Sequence, residues 1–231
     1  MTVDDQPRAG HEQNLTAPEA PASRLPSSSA RSLRGRLTTG GTIGNERLTA
    51  ATGVLLLVLL AVIGVTILRL RQLLWVHLFV GMLLIAPVLL KLASTGYRFA
   101  RYYTSSPAYR RKGPPATPMR LLAPFVVIST AIVMGSGVAL LFVGPTSRGT
   151  LFPIHKLSFF AWLAFAGLHV LGHLPGLPAT LRADYQTHAG LPGYEPGRDG
   201  RVLSLIGVLL AGLVLAVLVV PEFGPWLHAH H

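Results

Sequence analysis

The chain has 231 residues, half of them apolar and only 13% charged, with a mean hydropathy of +0.49. That balance points to a membrane protein and leaves no room for a soluble catalytic domain of roughly 100–150 residues beside several spans of about 20 residues each. Cysteine is absent, which excludes disulfides, thiolate metal sites, iron–sulfur clusters, covalently attached c-type haem and a cysteine nucleophile. The formal charge of +11 would suggest nucleic acid in a soluble protein. Here the basic residues sit in a tail and in loops between apolar runs. They point instead to topology and anionic lipid headgroups, with the bilayer as partner and no nucleic acid.

Residues 1–46 hold no apolar stretch and are rich in Ser, Pro, Ala, Gly and Arg. The expectation is a disordered tail with no secretory signal peptide. Five apolar segments follow, at 48–68, 73–90, 121–143, 157–174 and 202–220. Each is close to the ~20 residues that a bilayer core demands of a helix, and none alternates with period two as a barrel strand would. The short link at 69–72 predicts a tight antiparallel hairpin between the first two. The fold expected is all-α: a polytopic membrane protein with five transmembrane helices, the first four (47–175) forming a bundle. A loop at 176–201 and a fifth helix with a short tail (202–231) complete it.

Lys and Arg set the orientation. Six lie in the tail through Arg47, seven from Lys91 to Arg120 and three between 175 and 201, against four at Arg69, Arg71, Arg148 and Lys156. The tail and the 91–120 loop are therefore expected in the cytoplasm and the C-terminus outside, in a multi-pass protein of the cell membrane. The second and fourth helices then run parallel.

Nine histidines are present. His11 and His188 fall in polar segments and read as solvated. His228, His230 and His231 end the chain as HAHH, a metal-binding tail or a cloning remnant. The other four, His77, His155, His169 and His173, lie in or at the edge of apolar segments, where an imidazole is costly without a partner. His77 and Lys91 are 14 residues apart, as are His155 and His169. On a helix, 14 residues advance about 21 Å and return within about 40° of the starting direction. His169 and His173 are i,i+4 neighbours. All five groups can thus face one bundle interior, with His77 and His155 at one level and Lys91, His169 and His173 at another.

Two imidazoles from facing helices can clamp b-type haem without a covalent tether, and helical bundles house such cofactors. The expectation is one or two haems: an outer one between His77 and His155, and an inner one on His169 with His173 and Lys91 as propionate or outer partners. Lys91 stands where a second histidine would be wanted; a lysine at a helix end also snorkels to headgroups, or pairs with a haem propionate or a quinone. Gly81, Gly135, Gly137, Gly167 and Gly172 would let a porphyrin approach, or serve helix packing. The histidines alone also fit hydrogen-bonded packing, or a plain metal site built on His169 and His173. No HExxH and no acidic residue in any span supports a hydrolase. No dinucleotide fingerprint is present, so electrons would come from a separate redox partner protein or a quinone. The basic aromatic run 97–112 suits a membrane interface.

The stretch Lys91-Leu-Ala-Ser-Thr-Gly-Tyr-Arg98, then Arg101-Tyr-Tyr103 and Tyr109-Arg-Arg-Lys-Gly-Pro-Pro115, together with His155-Lys-Leu-Ser-Phe-Phe, Trp162 and His169-Val-Leu-Gly-His173, resembles a group of uncharacterised actinobacterial polytopic membrane proteins. More distantly, it resembles the cytochrome b561-like superfamily, over about residues 70–175. That second resemblance implies b-haem electron transfer, with His77, His155 and His169 at ligand-like positions and Lys91 as a departure.

The count of basic residues yields a first prediction. A reporter active only outside the cell is expected to be active when fused after residue 231 and silent when fused within 104–118. The reverse pattern would refute the orientation.

Overall fold

The computed structural model describes residues 41–104, 117–178 and 198–229. His11, His188, His230, His231, the run 109–112 and most of the tail and of the 176–201 loop lie outside them. The described residues form helices joined by turns, the longest at 144–150: α1 (Gly41–Leu68), α2 (Leu70–Leu83), α3 (Ile85–Tyr103), α4 (Thr117–Val143), α5 (Leu151–His173), α6 (Arg198–Val219) and the short α7 (Gly224–His228). Single 3-10 turns follow α5 at Leu174–Gly176 and join α6 to α7 at Val220–Phe223. Five stretches are long and apolar enough to cross a membrane, with α2 and α3 together making the second. The expected multi-pass architecture is observed, and every element is longer than the apolar run that announced it.

The length has a simple cause. A backbone in or near hydrocarbon has no water to bond, so helices continue until side chains can hold the chain ends in water. α1 has 28 residues, about 42 Å at 1.5 Å per residue, against a hydrocarbon core of about 30 Å. Large apolar side chains such as Leu68, Leu121, Phe125, Leu157 and Leu218 point outward, as they must on a lipid-facing surface.

α1 turns into α2 at Arg69, whose backbone leaves the helix (φ −133°, ψ 46°), and Leu73 is distorted as well. The second span then changes direction near Leu84. Pro87, buried in the first turn of α3, has no N–H to give the Leu83 carbonyl. That carbonyl is met by α6: a Cβ added to Gly212 would collide with Leu83 O. The missing side chain lets the fifth span press its backbone against the kink, a Cα–H···O approach of the kind that draws membrane helices together. Ala216, one turn on, is fully buried. The fifth span thus packs on α2 and α3 and touches α1.

α4 and α5 form the second half, antiparallel along their whole length. Phe125 stacks on Phe165 at 5.2 Å, and Trp162 donates its indole N–H to Thr130 Oγ1 at 3.0 Å. The two halves are joined chiefly at one end. There the segment after α6 folds inward, burying Phe223 and Trp226 against Leu74, Met82, Leu140 and Leu141. Trp226 donates to the Leu141 carbonyl at 3.3 Å, and Trp75 meets Phe223 edge-on.

Gly212→Leu is expected to force α6 off the Leu83 carbonyl, costing about 1–3 kcal/mol or more as overpacking does. The check is thermal unfolding of the detergent-solubilised protein. A variant as stable as the parent would show that this contact does not hold the fifth span.

Candidate functional site

Between the two halves lies a cavity of about 2060 Å³, walled by α1 to α5 with Trp226 also lining it. Ordinary ligand pockets are roughly 300–1,000 Å³. The wall is mostly apolar, and its polar exceptions include all five groups singled out from sequence: His77, Lys91, His155, His169 and His173. α5, which carries three of them, has no buried residue; it leans on α4 and turns its histidine-bearing flank to the cavity.

The levels follow from the antiparallel pairings. Thr66 in α1 meets His77 in α2, while Thr49 near the start of α1 meets Lys91 in α3. Ser136 in α4 meets His155 in α5, while Met119 near the start of α4 lies against Gly172. His77 and His155 therefore line the same end of the cavity. Lys91, His169 and His173 line the other. We call the end near Lys91 the tail side, because α1 begins there.

Hydrogen bonds fix which nitrogen each imidazole presents. Thr66 is buried, and its single hydroxyl proton goes to Ile63 O at 2.6 Å. Its 2.9 Å bond to His77 Nδ1 must therefore run from imidazole to hydroxyl. His155 Nδ1 lies 3.0 Å from the Val133 carbonyl, which can only accept, so His155 Nδ1 donates as well. Ser136 stands beside the same nitrogen at 3.1 Å. In the neutral ring both residues carry the proton on Nδ1 and keep the Nε2 lone pair, the tautomer that ligates metals while its other nitrogen is held by a carbonyl or hydroxyl. Gly137 makes room for this: a Cβ there would stand 3.0 Å from His155 Cε1.

The tail-side level is built differently. Lys91 is half-buried and donates from Nζ to the Thr49 carbonyl at 2.6 Å. Gly53 admits it, since a Cβ there would lie 3.1 Å from Nζ. Thr49, Ser94 and Asn45 form a polar seam beside it, with Asn45 Nδ2 donating to Ser94 O. His169 stacks on His173 with ring centroids 4.5 Å apart. His173 is exposed and donates from Nδ1 to the His169 carbonyl, whereas His169 Nδ1 is buried and has no partner. The second span runs on to Tyr103, so Lys91 lies within a helix rather than at its end.

Gly81 faces the cavity with open space at its missing Cβ, while Gly172 is covered by the Met119 thioether. The partners Thr66, Val133, Thr49 and Gly53 were not singled out from sequence. Thr66 had a signal: it lies in the same hairpin as His77, at a matching distance from the turn. The Val133 carbonyl had none, because a backbone acceptor has no residue signature. Among the described residues no three or more His, Cys, Asp or Glu side chains gather to hold a metal ion. Compared with known proteins, the chain matches no family model, no curated protein and no solved structure, so the site is read from its own residues.

Thr66→Val is expected to leave His77 Nδ1–H without an acceptor and to cost about 1–3 kcal/mol of stability. Ser136→Ala is expected to cost less, because the Val133 carbonyl still holds His155. Thermal unfolding of both variants checks the order, and equal losses would contradict the assigned bonding.

Proposed function

We propose that this chain is an integral membrane electron carrier that holds b-type haem between His77 and His155 and serves a separate redox partner, a protein or a membrane quinone. One observation carries the reading: two imidazoles at the same level of one cavity are each anchored through Nδ1–H, which keeps Nε2 free as a lone-pair donor. Two neutral nitrogens from opposite walls form the donor set that an untethered haem iron takes. The open wall at Gly81 and the uncovered flank of α5 fit a large flat group. The cytochrome b561-like resemblance agrees with this reading.

Bound haem would supply one-electron chemistry at its iron. The chain's own residues do the rest. Thr66 and the Val133 carbonyl orient the rings and make their free nitrogens more basic. The apolar walls exclude water, and Trp226 and Phe223 close the end nearest the pair. The cation-rich side would face the cytoplasm of the cell membrane and the C-terminus the exterior. At the tail side the amine of Lys91 is committed as a donor to Thr49, so the reading requires one haem; a second would fall to His169.

A second reading rests on the same hydrogen bonds. If they are the histidines' whole purpose, the protein is a non-haem membrane scaffold or accessory subunit, its imidazoles bonded in packing or holding one metal ion.

The purified protein, reconstituted with haem, is expected to give a low-spin reduced-minus-oxidised spectrum with about one haem per chain. His77→Ala is expected to abolish it or turn it high-spin, and His155→Ala likewise. No haem uptake by the parent, or a full low-spin spectrum in both variants, would leave the scaffold reading standing. A ratio of two that falls to one in His169→Ala would assign the second haem.

A further inference from the structure

The tail-side half of the cavity carries cations that no described acidic side chain answers. Lys91, Arg98 and Arg120 all line it. Among the described residues no acidic side chain pairs with any of the three. Glu46, the one acid on that wall, has a partner of its own. Lys91 and Arg98 are seven residues apart on α3, two turns along one face, which sets Arg98 about 10.5 Å nearer the helix end. Arg120 opens the facing helix α4, in the turn whose Met119 covers Gly172. Two guanidinium groups thus stand at the mouth and one ammonium stands deeper. Lys91 uses one of its three N–H groups on Thr49 and has two left. Below them the walls turn apolar, with Gly53, Leu57, Val127 and Ala166 among the lining residues.

Cations at a membrane interface with an apolar cleft beneath them match one kind of molecule: an anionic head on hydrocarbon chains. We propose that the tail-side half of this cavity binds an anionic glycerophospholipid drawn from the cation-rich leaflet. Its phosphate sits between Arg98 and Arg120, and its ester carbonyls accept from Lys91. Its acyl chains fill the apolar wall below. Guanidinium groups suit the phosphate because they bind its oxygens in pairs, and an ammonium suits a single acceptor oxygen. Basic pockets between spans on the cation-rich side are where such heads bind. A cavity of about 2060 Å³ holds this occupant beside another at the His77–His155 level. The lipid would supply a counter-charge that the described residues do not, and a second wall for α5. The inference stands apart from the reading of one haem on His77 and His155, which uses other residues.

Native mass spectrometry of the full chain tests it, with phosphatidylglycerol and phosphatidylcholine of identical chains as probes. The expected result is one phosphatidylglycerol retained under activation that strips phosphatidylcholine. The triple variant Lys91→Met, Arg98→Gln, Arg120→Gln is expected to lose that preference by roughly tenfold or more, since charged hydrogen bonds of this kind are removed. The charge-keeping variant Arg98→Lys with Arg120→Lys is expected to keep most of it, and helical circular dichroism of each variant checks that it folds. Equal retention of the two lipids, a triple variant that holds phosphatidylglycerol like the parent, or full displacement by inorganic phosphate would each overturn the proposal. Haem absorbance read on the same samples separates the two sites. Loss of lipid preference with an unchanged spectrum is expected, and absence of haem with the preference intact would sink the haem reading alone.

Discussion

An imidazole placed in hydrocarbon must satisfy its N–H inside the protein, because no water is there to do so. Thr66 shows how strongly that condition acts. Its hydroxyl proton is already spent on the Ile63 carbonyl, so the remaining lone pair can only receive, and the direction of the His77 bond follows without choice. Val133 does the same for His155 with a carbonyl. Each bond binds two helices, α1 to α2 and α4 to α5, and each decides which ring nitrogen is left for chemistry. Helix packing and the chemical character of the cavity are therefore set by the same two contacts.

The cavity itself depends on an unequal division of the helices. The kink at Pro87 and the small face of Gly212 and Ala216 draw the fifth span onto the second, which gives α1, α2, α3 and α6 a shared core. α5 receives no such partner. Gly167 on α5 and Gly135 on α4 have open space where a Cβ would stand, and the hold of α5 on the protein is α4. A helix this apolar can remain lipid-exposed on one flank, yet its other flank presents three histidines. A bundle closed tightly around itself would have buried them against α2 and α3.

The five spans were legible because a bilayer imposes a length that composition reveals directly. Their true ends were not: Ser94 to Tyr103 continues α3 with polar and aromatic residues that a hydropathy window reads as loop. The facing of His77 with His155, and of Lys91 with His169, followed from spacings of 14 and from parallel second and fourth spans. What escaped was Lys91's environment. An ordinary lysine past Leu90 reads as a snorkelling side chain, and only the Gly53 gap and the Thr49 carbonyl, 38 and 42 residues away in sequence, show it turned inward. The role of the last helix was hidden for a similar reason. Phe223 and Trp226 look like the start of a solvent-side tail until their burial against Leu141 is seen.

The two ends of the cavity are unlike in a way that bears on how anything enters it. At the His77 level, Trp226 is tied to the Leu141 carbonyl and Phe223 is wedged beside Trp75, so that end is sealed by side chains whose removal would expose the core. At the tail side the walls carry cations and the exposed His173, and the helices α3 and α4 extend beyond the apolar runs on which they were built. A flat or amphiphilic molecule would meet least resistance there, guided by charge from the cation-rich leaflet. Its apolar part would then lie along α5, which has no buried residue and leaves its flank toward the cavity uncovered. Closing one end with buried aromatic rings and lining the other with cations thus makes the two ends of one cavity chemically unlike.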